Sequence, residues 1–307
     1  MTANKEQYRL LCETEGSAIP LFQQYWWMET VCQGKHWDVA LAYDQAGRIV
    51  AALPYLLGTR LGLRYVLQPQ LTQYNGPWFR PEADRLKATR QLTARLTALR
   101  LTLFVQHFGP QVSDLSGWED YRTSERVTYR IEDISDPRQV FDNMDKKERQ
   151  KAIRRAEKQL TLVEDVTPEE FATLHEAYWQ SRGQKDLLSH NFIVNVVGTA
   201  LSSGHGILLG ARDESGEMQG IRFAVYDDRC GYSLMAAFRP QHHHNGVSAL
   251  LFWNILQRLS GRTQSFDFEG SMDPGIAYSY RLYGSQPVRY YEVSYCRIPL
   301  LRRLLKV

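Results

Sequence analysis

The sequence predicts an α+β protein made of two similar halves, and two observations carry that reading. The first is an internal repeat. Asp38–Gly47 followed by a strand parallels Gly206–Gly216 followed by a strand, Leu101–Phe108 parallels Ser265–Ser271, and Arg126–Ile131 parallels Val288–Val293. The second is periodicity: short apolar runs bounded by turn residues alternate with longer stretches of helical period, so strands must pair and be covered by helices. The 307 residues are enough for two cores, placed at 1–135 and 136–307.

In the first half, Pro20–Val31 is an aromatic-rich helix candidate carrying Leu21, Phe22, Tyr25, Trp26 and Met28. Trp37–Tyr43, a turn at Asp44–Gly47 and Arg48–Leu57 read as a hairpin, with Pro54 marking an edge or a bulge because it lacks an N–H. A short strand at Tyr65–Gln68 precedes a loop of amides and aromatics through Trp78. Ala83–Leu99 is an amphipathic helix with Leu86, Leu92, Leu96 and Leu99 inward, and Leu101–His107 and Val127–Ile134 are strands.

In the second half, Asp136-Pro137 opens a helical region, and Val140–Gln159 is a basic helix bearing Lys146, Lys147, Arg149, Lys151, Arg154, Arg155 and Lys158. Thr167 caps a helix that starts at Pro168 and runs to Arg182. Asn191–Leu201 is another helix, and Ile207–Ala211 with Met218–Tyr226 form a second hairpin. Gly231–Phe238 is a buried strand, ended by Pro240 and three histidines. Ser248 is the expected cap of a helix reaching Gly261, and Ser265–Gly270 alternates with Asp267 and Glu269 on one face. A strand, a glycine turn and a helix together aim backbone N–H groups at one spot, which suits a pyrophosphate. The next strand brings carboxylates near it.

Several classes fall away. A formal charge of +3 is too small to argue for DNA binding. Four widely spaced cysteines, with no Cys-x-x-Cys pair, argue against a zinc site or a disulfide framework and for reduced thiols in a cytoplasm. The polar N-terminal stretch shows no signal peptide, and no apolar run reaches the roughly 18 residues of a membrane span. His242, His243 and His244 are adjacent on a loop, where side chains rarely converge on one ion, so no metal is expected.

Phe266-Asp-Phe-Glu-Gly-Ser271, Ile276 to Gly284, Tyr290-Tyr-Glu-Val293, the basic segment Lys146–Lys158 and Gln73 to Trp78 together resemble tandem acyltransferase domains of the GNAT superfamily, most closely its FemAB-like, BioF2-like acetyltransferase group. The likeness spans nearly the whole chain through short motifs. It implies a mixed, mostly antiparallel sheet flanked by helices in each domain, the second one catalytic, and acyl transfer from acetyl-CoA or another acyl-CoA to an amine. The acceptor is expected to be an amino sugar or a peptide of envelope or polysaccharide precursors. In such folds the fourth strand holds the donor's arm, here through Ala237 and Phe238. The pyrophosphate turn falls on His243, Asn245, Gly246, Val247 and Ser248, and of that motif's fixed positions only the glycine at Gly246 matches. Fem relatives use aminoacyl-tRNA, so tRNA is the alternative partner. A binding protein that kept the fold without catalysis is a third reading.

Amine attack on a thioester needs a base for the amine and a proton for the leaving thiolate. Glu269 is the base candidate, against a carboxylate that merely binds a cation. Asp267 either takes part or orients Arg281 or a backbone group. Tyr278 leads Tyr280 and Tyr283 as the acid, although tyrosines at helical spacing are more often packing. Tyr74, Asn75, Trp179 and Arg281 are candidates for the acceptor site, with packing the plainer account of each aromatic.

Overall fold

The hairpin and helix signals above resolve into twelve strands and nine helices among the described residues of a computed structural model, which describes residues 2–240, 246–270 and 272–299. The chain divides into two compact units. Unit 1 is Met1–Arg126 with Arg289–Val307, and unit 2 is Val127–Val288. These do not coincide with 1–135 and 136–307: the boundary comes nine residues earlier, and the last strand belongs with the first unit, because its residues pair there.

Unit 1 runs α1 (Ala3–Glu15), α2 (Tyr25–Val31), β1 (Trp37–Tyr43), β2 (Ile49–Arg60), β3 (Leu63–Leu67), β4 (Trp78–Phe79), α3 (Arg85–Ala98) and β5 (Leu103–Phe108), followed by the start of β6 (Arg122–Ile131). Its sheet order is β1-β2-β3-β5 and then the C-terminal strand β12 (Gln286–Cys296), with β4 on β2. All pairs are antiparallel except β3 with β5. Pro54 is neither on an edge strand nor at a bulge. It sits within β2 opposite Val39, and its other edge falls between the stretches paired to β4 and β3, where the Gln106 side chain donates to its carbonyl at 2.9 Å. The missing N–H therefore costs no ladder bond. Leu92 and Leu96 of α3 face the core, whereas Leu86, expected inward, is 39% exposed.

Unit 2 begins on the last five residues of β6 and continues with α4 (Pro137–Asn143), a π turn over Lys146–Gln150, α5 (Lys151–Ala156), β7 (Leu160–Val163), α6 (Pro168–Ser181), α7 (His190–Ser202), β8 (Gly206–Asp213), β9 (Met218–Tyr226), β10 (Cys230–Phe238), α8 (Val247–Leu259), β11 (Ser265–Asp267) and α9 (Pro274–Arg281). The sheet order is β6-β11-β10-β9-β8-β7, again antiparallel except for one pair, β10 with β11. Each unit thus holds an antiparallel meander, then one parallel neighbour, then a closing antiparallel strand. The closing strands are exchanged relative to chain order: β12 closes on β5, and β6 closes on β11.

The basic segment is not one helix. Asp145 stops it, its side chain accepting from the N–H groups of Lys147 and Glu148 at 3.0 and 2.7 Å while Met144 is extended. The α8 helix is apolar nearly all round, with nine buried residues, because it lies between the sheet and α4, α5 and α9. Among the described residues no helix is long and apolar enough to cross a membrane.

Candidate active site in unit 2

The parallel pair of unit 2 is short. β10 and β11 match only over Cys230–Tyr232 with Ser265–Asp267, and β10 then continues to Phe238 on β9 alone, with a register shift between Tyr232 and Met235. From Ser233 onward, the edge of β10 that faced β11 has no strand partner among the described residues. Such an edge presents backbone donors and acceptors to whatever lies in the fork.

β11 ends in the carboxylate pair expected from the sequence. Asp267 is fully buried. It accepts from Thr128 Oγ1, lies 3.2 Å from Arg130 Nη2, and receives the Glu269 backbone N–H at 2.8 Å. That last bond fixes a turn in which Glu269 adopts φ +59°, a left-handed conformation that non-glycine residues seldom take. Asp267 is therefore the anchor of the turn, bonded to Thr128 and Arg130 and not to Arg281. Glu269 Oε1 is shielded from solvent with no hydrogen-bond partner among the described residues. Burial, with Asp267 nearby, holds its carboxyl well above the usual carboxylate range.

The phenols divide by face of α9. Tyr278 is 60% exposed on the outer side. Tyr280 and Tyr283 turn inward, their rings 4.8 and 5.6 Å from Phe268, and Tyr283 lies 4.4 Å from Phe252. Burial pushes the Tyr280 phenol up, Arg222 opposes this and Glu269 adds to it, so Tyr280 feels both charges. The helical period of α9 makes Tyr278 and Tyr280 point to different sides, and spacing alone did not say which side faced the carboxylates.

Two arginines that sequence reasoning did not single out as site residues complete the cluster. Arg222, on β9, donates from Nη1 to Ser233 Oγ at 2.6 Å and from Nη2 to Ser248 Oγ at 3.2 Å, and its Cζ lies 5.5 Å from the Phe252 ring centre. Arg149, in the π turn, donates to the Ser279 hydroxyl at 2.7 Å and packs 4.6 Å from the Tyr283 ring centre. The Nε of each is buried without a partner among the described residues. The available signal for Arg222 was one charge inside the apolar run Met218–Tyr226, on the same strand face as Gly220 and Ala224.

Gly246 rather than Ser248 caps α8, in the left-handed conformation at φ +83°. Ser248 lies in the first helical turn, where its hydroxyl serves Arg222. A Cβ on Gly246 would come 2.6 Å from the Ala152 carbonyl oxygen and 3.3 Å from Ala156, so α5 closes the turn on that side. Lys151 and Arg155, each next in sequence to one of these alanines, are exposed. Ala237 and Val247 are buried, and the Phe238 ring fills the space that Gly220 leaves open. His243 and Asn245, with His242 and His244, lie outside the described residues.

The expected acceptor residues divide between the two units. Tyr74 and Asn75 are interior residues of unit 1: Tyr74 packs on Tyr290 at 5.3 Å, and the Asn75 N–H bonds the His107 carbonyl at 2.7 Å. In unit 2, Trp179 donates to His175 Nε2 at 3.2 Å, while the exposed Arg281 reaches the Tyr129 hydroxyl at 3.1 Å. Unit 1 has its own polar cluster, in which Glu292 of β12 is paired with Arg126 and lies 3.4 Å from His107. His107 and then Arg126 hold that carboxyl down at about 2.

A meander, one short parallel pair that forks, and a helix following the fork make up the frame of unit 2. Residues 143–278 match the family model described as the acetyltransferase (GNAT) domain. That segment is similar to the GNAT acetyltransferase domain, and the chain has the fold of a FemAB-like protein. Among solved structures it is similar to FemX (TM-score 0.68, 12% identity, covering 100% of this chain and 99% of that one). It is also similar to L-PGS from Bacillus licheniformis (0.61, 12%, 98% and 95%) and to a tandem GNAT protein from the clavulanic acid biosynthesis pathway (0.59, 14%, 95% and 93%). At such identities these likenesses establish the fold. No curated protein matches the chain in sequence.

Proposed function

We propose that unit 2 is an N-acyltransferase that moves an acyl group from acetyl-CoA or another acyl-CoA to an amine, with Glu269 as the base. One observation carries this: a half-buried carboxylate with one oxygen shielded and without a partner among the described residues, held in a left-handed turn at the point where β10 and β11 part. With the donor's arm along the free edge of β10, from Ser233 to Ala237 and Phe238, the thioester carbon lies in the fork. Glu269, its pKa raised by burial and by Asp267, takes a proton as the amine nitrogen bonds to the carbonyl carbon. The C–S bond then breaks, and the thiolate takes a proton from a phenol. Tyr280 suits that role better than Tyr278, because it is inward and within the field of Glu269, and burial keeps it protonated. No cysteine lies on this stretch, so transfer is direct. The donor's phosphates are met by the first turn of α8 and by Lys151 and Arg155 of α5. The acceptor is read as an amino sugar or peptide amine of a surface-polymer precursor.

Calorimetric titration with acetyl-CoA and longer acyl-CoAs, followed by thiol release in the presence of amines, tests this directly. Binding followed by amine-dependent thiol release is expected. A folded protein that binds none of these donors loses the reading, and a non-catalytic binding protein takes its place.

A second reading, with aminoacyl-tRNA as donor, is favoured by one observation: Lys146, Lys147, Lys151, Arg154, Arg155 and Lys158 are all exposed within thirteen residues. Reversing the charge of Lys147, Arg154 and Arg155 should abolish a tRNA-dependent reaction and barely alter one that uses acyl-CoA.

A further inference from the structure

We propose that Arg222 is the anchor for a carboxylate on the substrate, a subsite that rests on the transferase reading of unit 2 and narrows its substrates to those bearing an anionic tail. The residue is placed where a cation is poorly supported. It lies on a central strand beneath α8, its Nε is shielded without a partner, and its hydrogen bonds go to two neutral serine hydroxyls. No carboxylate pairs with it among the described residues, and burial pushes its guanidinium pKa down. One of the two serines, Ser248, is in the first turn of α8, where unpaired N–H groups already give a positive potential. A guanidinium held against a helix N-terminus without an anion is a costly arrangement, whereas an anion seated between them is attracted by both.

Geometry favours a carboxylate. The fork of a guanidinium matches two coplanar oxygens, and the two serine hydroxyls can turn to donate to the same group. The Phe252 ring centre lies 5.5 Å from the guanidinium carbon, so an aromatic surface stands beside the anchor. The position also fits the chemistry. Ser233 begins the free edge of β10, and Tyr280 feels both Arg222 and Glu269. A substrate anchored at Arg222 therefore keeps its reacting end in the fork. Ser233, Arg222, Ser248, Tyr280 and Glu269 each keep some accessible surface, so a ligand can reach them. The carboxylate can belong to a dicarboxylic acyl donor or to an acceptor of the amino-acid type, and the experiment separates these.

The full chain, as wild type, Arg222→Met and Arg222→Lys, is titrated with succinate and with inorganic phosphate at constant ionic strength, followed by thermal unfolding. Succinate should raise the wild-type Tm saturably, Arg222→Met should lose that response, and Arg222→Lys should keep part of it. Without ligand, Arg222→Met should unfold no lower than wild type, because it removes an uncompensated charge. Next, succinyl-CoA is compared with acetyl-CoA, and an α-amino acid with its decarboxylated amine. A preference of about tenfold or more for the carboxylate member, lost in Arg222→Met, assigns the anchor to donor or acceptor respectively. The proposal is overturned if succinate has no saturable effect, if Arg222→Met responds as wild type does, if phosphate protects better than succinate, if the protein transfers acyl groups but neither pair shows a preference, or if both variants unfold early as a purely structural arginine would require. Failure of every coenzyme A ester to bind while succinate still acts through Arg222 removes the transferase reading and leaves the anion site standing. Acetyl-CoA binding without any succinate response does the reverse.

Discussion

Both units carry a glutamate in a polar cluster beside the sheet, and they treat it in opposite ways. Glu292 in unit 1 is matched by Arg126 and His107, which hold it ionised down to a pKa of about 2. Among the described residues, Glu269 in unit 2 is paired with no cation and has one oxygen without a partner, and its backbone is in a left-handed turn. A paired carboxylate holds strands together, whereas an unpaired one stored at a strand end is available for proton transfer. The contrast teaches that similar strand patterns can hold one paired acid and one with an unpartnered oxygen, and that neighbours decide which is which.

The strongest way to break the contrast is to neutralise each acid. Glu269→Gln should lower acyl transfer about 10²- to 10⁴-fold with the protein still folded, and Glu292→Gln should leave turnover within about twofold. Initial rates on matched acceptors decide it, and equal losses in both variants would end the division of roles. The pH dependence sharpens the same point. Activity should rise through an apparent pKa above the ordinary carboxylate value of about 4.3, and that limb should vanish in Glu269→Gln.

A smaller effect separates the phenols. Tyr280→Phe should slow turnover about tenfold or more, and Tyr278→Phe should barely change it. The opposite ranking would return the acid role to the exposed residue.

Stability gives the next test. Gly246→Ala forces a left-handed φ on alanine and drives its Cβ toward the Ala152 carbonyl, so about 1–3 kcal/mol should be lost in denaturant unfolding. Gly261→Ala, with no atom within 4 Å of the added carbon, should lose less.

The smallest effects come from linkage. The folded-state pKa of Glu292 is depressed, so its contribution is present above about pH 4.3 and fades as pH falls toward about 2. Glu292→Gln should therefore destabilise at pH 7 and be nearly neutral at pH 2. The folded-state pKa of Glu269 is raised, so its penalty appears as pH rises through that value. Glu269→Gln should then raise Tm at high pH and leave it unchanged at pH 4. Thermal unfolding across pH checks both signs.

Much of the architecture was legible because it is written in local chemistry. The hairpin at Asp44–Gly47, the capping box at Thr167 and Glu170, and the apolar face of α8 need only near neighbours to be read. Asp267 and Glu269 were also visible, since alternation and the glycine that follows single them out. Other features were not. The run of basic residues concealed the break at Asp145, because an aspartate can be either a helix residue or a cap. Arg222 looked like an ordinary strand residue until Ser248, thirty positions from the strand's start, came to meet it.

The sequence by itself determined most of the strands and helices, the repeat and the resemblance to the GNAT superfamily, since these depend on period, turn residues and short motifs. Only the tertiary structure decided that β12 closes on β5 and β6 on β11, that Asp267 is an anchor while one Glu269 oxygen lacks a partner among the described residues, and that Tyr280 packs inward on Phe268 while Tyr278 is exposed. The reason is physical: a charge, a missing partner or a shielded edge is a property of the space around a side chain, and residues far apart in the chain create that space.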